Sequence, residues 1–142
     1  MTKGTSKVTE ISYQREASLT TEEFIDVLQR SGLGERRPIS DVGRVQRMLD
    51  NANLIVTARE GAELVGVARS LTDFAYCCYL SDLAVDRARQ GKGIGRELIR
   101  QTRRLAGEEC MCLLLSAPDA MSFYRAIGMP QPDNAFLFKR TR

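Results

Sequence analysis

Leu83-Ala84-Val85-Asp86-Arg87-Ala88-Arg89-Gln90-Gly91-Lys92-Gly93-Ile94-Gly95-Arg96-Glu97-Leu98-Ile99 reads as an apolar strand, a basic glycine-rich turn and the start of an amphipathic helix. Three glycines alternate, at Gly91, Gly93 and Gly95, where the helix begins. Such a turn leaves backbone N–H groups free at the positive end of a helix dipole, which suits a phosphate. Arg89, Lys92 and Arg96 add side-chain charge around it. The first expectation is a bound polyphosphate, carried by a cofactor.

Two well-known phosphate motifs do not fit. A P-loop needs Ser or Thr after its lysine, and Lys92 is followed by Gly93. The dinucleotide fingerprint G-x-G-x-x-G puts Arg96 where the last glycine belongs, and it opens a βαβ unit. Here the turn lies well past the middle of the chain. The pattern Gln/Arg-x-x-Gly-x-Gly/Ala does fit, as Gln90-Gly91-Lys92-Gly93-Ile94-Gly95 after the strand Leu83-Ala84-Val85. This resembles the coenzyme A loop of the GNAT N-acetyltransferase superfamily.

A second segment strengthens that resemblance. Ala120-Met121-Ser122-Phe123-Tyr124-Arg125-Ala126-Ile127-Gly128-Met129 resembles the superfamily's A-x-x-F-Y-x-x-x-G-F, with Met129 in place of phenylalanine. Leu64-Val65-Gly66-Val67-Ala68-Arg69 resembles its third strand. The likeness runs from about residue 8 to 139 and is specific from about 64 to 129. Two departures stand out. Many relatives carry asparagine where this chain has Ala117, and the chain has little room for a strand beyond Ala135–Lys139. An unpaired sheet edge is a liability, which points to a partner subunit and a homodimer.

Composition bounds the alternatives. With 142 residues, 43% hydrophobic and 27% charged, the chain is expected to be one domain over 1–142, which the resemblance makes an acetyltransferase domain, with 1–7 as a flexible tail. The polar stretch Met1–Glu10 lacks the apolar centre of a signal peptide, and no run is long enough for a membrane helix, so the expectation is a cytoplasmic protein with no membrane partner. A net charge of +3 does not argue for nucleic acid. The arginine face Arg96, Arg100, Arg103 and Arg104 is interrupted by Glu97 and lacks interleaved aromatics. Histidine is absent, which removes histidine bases, Ser-His-Asp triads and His-ligated zinc. Cys77-Cys78 and Cys110-x-Cys112 lack zinc-ribbon spacing and read as buried, reduced thiols, so no metal is expected.

Patterning gives the order β-α-α-β-β-β-α-β-α-β. Val8 to Tyr13 alternates as a strand. Thr20-Thr21-Glu22-Glu23 is a capping box, and Gly32 and Gly34 stop the helix that follows. A second helix covers about Asp41 to Asn51. A hairpin pairs Leu54–Arg59 with Glu63–Leu71, a long strand spans Tyr76–Val85, and a helix runs from about Gly93 to Ala106. Met111–Ser116 is an apolar strand expected to be covered on both faces. Pro118-Asp119 opens a helix ending at Gly128, and Ala135–Lys139 is a last strand. The fold class is α/β (α+β). The expected architecture is a mixed, largely antiparallel twisted sheet with one parallel β-α-β crossover, flanked by about four helices. The resemblance adds a splayed strand pair.

The resemblance also assigns roles. Acetyl-CoA is the expected co-substrate, and a primary amine on a small molecule, peptide or protein is the acceptor that takes its acetyl group directly. Leu83, Ala84 and Val85 would lie along the pantetheine arm, with the Leu83 N–H polarising the thioester carbonyl. The N–H groups of Gln90, Gly91, Lys92, Gly93, Ile94, Gly95 and Arg96 would hold the pyrophosphate. Tyr124, a phenol protonated at neutral pH, is the candidate general acid. For the base, relatives that use a strand glutamate carry it where this chain has Tyr79. Asp82 is the nearest carboxylate, either as the base or as a structural residue hydrogen-bonded to loop backbone, and Asp73 sits in the preceding turn, while a water chain with no dedicated base is an alternative. Arg36-Arg37, in the segment that shapes the acceptor site of similar proteins, could recognise an acidic acceptor or be a solvated loop. A non-catalytic acyl-CoA-binding sensor or regulatory domain is the rival reading.

Overall fold

A computed structural model describes residues 10–142. Val8 and the 1–7 tail lie outside the described residues. One five-stranded sheet holds β1 (Ile11–Arg15), β2 (Leu54–Glu60), β3 (Glu63–Thr72), β4 (Cys77–Val85) and β5 (Met111–Leu113), in that spatial order. The first three pairings are antiparallel and β4–β5 is parallel, through the crossover helix α3 (Ile94–Ala106). The mixed sheet and its crossover follow the sequence reading.

Helices cover both faces. α1 (Thr21–Ser31) and α2 (Val42–Asn51) bury Phe24, Val27, Leu28, Val45 and Leu49 against Ile55, Val67 and Ala84. On the other face α3 buries Ile94, Leu98 and Ile99 against Leu54, Val56 and Leu80, with Phe123 and Tyr124 of α4 (Met121–Ala126) packed alongside. Local chemistry sets the ends. Thr20 Oγ1 accepts from the Glu23 N–H at 3.1 Å, Gly32 closes α1 at φ 88°, and Asp41 caps α2 through the Arg44 N–H at 3.1 Å. The capping box is only half made, because the Glu23 carboxylate turns to Arg59 at 2.7 Å.

Three expectations are corrected. The strand read over Met111–Ser116 pairs only through Met111–Leu113. It is an edge strand, with Met111 58% exposed rather than covered. Ala135–Lys139 forms no strand; Phe136 and Phe138 are 99% and 102% exposed. Apolar alternation specifies a strand only where a sheet edge lies within reach. Of the four cysteines only Cys78 is fully buried, and Cys77 is exposed. Cys78 faces Cys112 across the β4–β5 register, and the closeness of the two thiols lowers the pKa of Cys78 and raises that of Cys112.

Candidate active site

The site is built on β4, which changes partners along its length. Cys77 to Tyr79 pair with Met111 to Leu113 of β5. Beyond Tyr79 the two strands no longer pair, so the splayed pair is present. On its other edge β4 stays with β3, but Arg69 faces Asp82 while Ser70 faces Leu80, which leaves Ser81 as an extra residue in a bulge.

The bulge rests on a buried ion cluster. Asp82 is 0% exposed, and its two carboxylate oxygens accept from Arg37 Nε and Arg69 Nε. Arg37 Nη2 also donates to the Ser81 carbonyl at 2.9 Å, and Arg69 Nη2 to Ser81 Oγ at 3.1 Å. Arg69 Nη1 reaches the Met48 carbonyl of α2 at 3.0 Å. Thus β3, β4, α2 and the α1–α2 connection meet at this one point. A carboxylate held by two guanidinium groups has no free oxygen for an acceptor's proton. Asp73, the other carboxylate considered, caps the β3–β4 turn: its Oδ1 accepts from the Ala75, Tyr76 and Cys77 amides at 2.8–3.0 Å. These bonds, that of Cys77 first, hold its pKa well below the usual carboxylate range.

Past the bulge, alternation along β4 decides which backbone groups face the opening. The Asp86 N–H donates to the Val65 carbonyl of β3 at 2.9 Å. Neighbouring residues of a strand point to opposite edges, so the Asp82 and Ala84 amides share that direction. The Leu83 and Val85 amides point the other way, into the gap left by β5. The Val85 carbonyl accepts from Gln90 Nε2 at 3.1 Å, so the Gln90 side chain closes the strand end.

The glycine-rich turn follows. Asp86 Oδ1 accepts from the Ala88 N–H at 3.0 Å, and Asp86 Oδ2 receives Arg30 at 2.7 Å and Arg89 at 2.9 Å. Burial pushes the Asp86 pKa up, but the Ala88 amide and the two arginines together bring it below its ordinary value. Arg89 also binds Glu60 at 2.7 Å and Glu63 at 3.0 Å, so its charge is spent within the protein. Lys92 and Arg96 have no carboxylate within ion-pair distance among the described residues. Gly93 takes the N-cap of α3 at φ 83° with no capping side chain, and the space a Cβ would fill at Gly91 or Gly93 is open. The first-turn amides of α3 are therefore uncapped by any side chain, a fit for an anionic pyrophosphate. Gly95 has a different reason: a Cβ there would meet Phe123 Cζ at 3.0 Å.

Phe123 in turn stacks edge-on to Tyr124, with ring centroids 5.0 Å apart and planes at 73°. Burial pushes the Tyr124 phenol above its ordinary pKa, and the positive charge of Arg37 acts in the opposite sense. Tyr124 therefore senses the ion cluster at the bulge. The structure thus draws Leu83, Val85, Arg37 and Tyr124 toward the splayed end of β4. Sequence reasoning missed Arg69 and Ser81. The available signal was a lone arginine following the apolar run Leu64–Ala68 inside a strand, which burial permits only with a partner.

Comparisons with known proteins agree with this fold. A profile of the acetyltransferase (GNAT) family matches residues 17–129. An uncharacterized N-acetyltransferase of Pyropia yezoensis is 29% identical over 107 residues, which cover 69% of this chain and 59% of that protein, so the match spans under two thirds of the curated relative. Among solved structures, a GNAT family acetyltransferase from Streptococcus pneumoniae superposes with a TM-score of 0.75 at 18% identity, covering 94% of this chain and 100% of its own. An aminoglycoside N-acetyltransferase in complex with CoA superposes at 0.72 and 12% identity, covering 97% and 99%. At these identities the structural likenesses speak for the fold.

Proposed function

The chain belongs to the GNAT acetyltransferase family, and from that premise we propose that it transfers the acetyl group of acetyl-CoA directly to a primary amine. The observation that carries the reading is the continuity of one surface. The free β4 edge at Leu83 and Val85 leads into the uncapped, glycine-lined start of α3, with Tyr124 on the neighbouring helix. Acetyl-CoA supplies an acetyl group already activated as a thioester. The family's use of this co-substrate and the CoA complex of one structural neighbour support the assignment.

The chain's own residues then divide the work. Amides from Gln90 to Arg96 hold the pyrophosphate, with Lys92 and Arg96 adding charge. Leu83, Ala84 and Val85 orient the pantetheine arm, and the Leu83 N–H is offered to the thioester oxygen. Tyr124 Oη holds the proton destined for the departing sulfur; its raised pKa keeps that proton in place. Asp82 serves as the anchor of Arg37 and of the bulge, and the acceptor's proton leaves through water. The four cysteines are all thiols, which supports a reducing, cytoplasmic setting. The exposed Phe136 and Phe138 and the open edge of β5 support a homodimer in which segment 135–139 of a second copy pairs along β5.

The test is a thermal melt with acetyl-CoA against ATP, followed by thiol release across an amine panel. A ligand at about 100 times its Kd stabilises by roughly 2.7 kcal/mol. A shift specific to acetyl-CoA and CoA, together with amine-dependent thiol release, is expected. No shift overturns the reading. A shift without thiol release from any amine would favour the non-catalytic acyl-CoA sensor. That second reading draws on one observation, the commitment of both Asp82 and Asp73 to structural bonds.

A further inference from the structure

Beside the splayed end of β4 lies an open cleft of ≈ 420 Å³ lined by Glu35, Arg36, Arg37, Arg44, Arg140 and Arg142. These residues come from separate parts of the chain: the α1–α2 connection, the first turn of α2 and the segment after α4. Arg44 Nη2 donates to the Arg142 main-chain oxygen at 3.3 Å, which ties that last segment to the cleft wall. Among the described residues Arg36, Arg140 and Arg142 have no Asp or Glu side chain within ion-pair distance, and Arg44 meets only the terminal main-chain oxygen of Arg142. Arg37 is the exception and the link. Its guanidinium binds Asp82 and the Ser81 carbonyl, so the cleft wall is continuous with the β4 bulge.

Gathering five arginine side chains around one open cleft, with Glu35 as the only acidic side chain and the terminal oxygen of Arg142 turned to Arg44, is unfavourable in the empty protein. Like charges repel, and a cleft focuses their field. An anion relieves that cost, and the planar guanidinium matches the oxygens of carboxylate or phosphate in a bidentate way. From this we infer that the cleft holds an anionic group of the acceptor, so that the preferred substrate is an amine bearing a carboxylate or phosphate. Polycationic amines such as polyamines and aminoglycosides are rejected by the same field. The inference rests on the acetyl-transfer reading for its word "acceptor", while the anion site stands apart from it.

Matched amines test it: phosphoethanolamine against ethanolamine, β-alanine against its amide, and spermidine as the polycation. With acetyl-CoA and the full chain, the anionic member of each pair is expected to exceed its counterpart by about tenfold or more in kcat/KM, mainly through KM. Arg36→Glu and Arg44→Glu, made separately, are expected to erase that preference while leaving the acetyl-CoA melting shift in place. Added salt is expected to weaken it, since these charges face solvent. Equal rates within the pairs, or a preference for spermidine, overturn the proposal. Phosphoethanolamine ahead of β-alanine identifies phosphate as the favoured group, and the reverse order identifies carboxylate. If no amine accepts acetyl, the acetyl-transfer reading fails by itself, and calorimetry with phosphoethanolamine and β-alanine decides the cleft. Binding that Arg36→Glu weakens upholds the anion site, and no binding overturns it.

Discussion

Tyr124 and Gly95 meet through one side chain, Phe123, whose ring stacks on the tyrosine and fills the space beside the glycine. The three glycines of the loop therefore answer to two requirements. Gly91 and Gly93 adopt φ 81° and 83°, where any Cβ is strained, whereas Gly95 gives up its side chain to make room for Phe123. Gly93→Ala is expected to cost about 1 kcal/mol of backbone strain in urea unfolding. Gly95→Ala is expected to cost about 1–3 kcal/mol through overpacking and, by displacing Phe123 and Tyr124, to lower kcat more than acetyl-CoA affinity. Tyr124→Phe keeps the ring packing and loses the proton donor, so kcat should fall by about 10²-fold or more with acetyl-CoA binding retained. The wild-type phenol is raised by burial above its ordinary value near 10, and an acid works only while protonated. No alkaline loss of activity due to Tyr124 is therefore expected below about pH 10 in a kcat–pH profile.

At the scale of elements, the bulge in β4 sets what faces where. Cys78, Leu80, Asp82 and Ala84 share parity in the sequence and are all buried, as a regular strand with one buried face would have them. They are not on one face. Leu80 packs with α3, whereas Ala84 packs with α1 and α2, because Ser81 adds one residue and a one-residue slip exchanges the faces. No local pattern shows this, since a bulge exists only relative to the register of the neighbouring strand. The ion cluster that holds it was equally hidden: Arg37, Arg69 and Asp82 are far apart in sequence and meet only after β3, β4 and the α1–α2 connection assemble. Asp82→Ala would leave the almost fully buried Arg69 without its partner, so a loss of about 3–5 kcal/mol in unfolding free energy is expected.

For the whole molecule, charge and exposed surface make two further predictions. Glu16, Asp73 and Asp86 all have pKa values below their ordinary ones: Arg59 holds Glu16, the Cys77, Ala75 and Tyr76 amides hold Asp73, and Asp86 is held by the Ala88 amide and two arginines against the cost of burial. Groups shifted down stabilise the fold above the unfolded carboxylate range, near pH 4, and that stability is lost as pH falls through their folded values. The melting temperature should thus hold from neutral pH down to about 5 and drop below about 4. The proposed dimer predicts a mass of two chains in light scattering at about 10 μM, with Phe136→Asp/Phe138→Asp giving monomers of unchanged circular dichroism. A monomeric wild type at that concentration would exclude it.

The sequence by itself determined the family resemblance and all the helices and strands but the Ala135–Lys139 strand and the end of β5. Helical and strand periodicity, the Thr20 and Asp41 caps and the glycine turn are local, so residues a few positions apart suffice to specify them. It also placed the loop and Tyr124 in their order, because both sit in short contiguous motifs. Tertiary structure alone decided the bulge at Ser81, the burial of Asp82 between two arginines, and the convergence of Arg36, Arg44 and Arg142 on one cleft. Each depends on strand register or on chain segments distant in sequence. Such contacts come from how the sheet closes and where connections cross it, which no window of sequence contains.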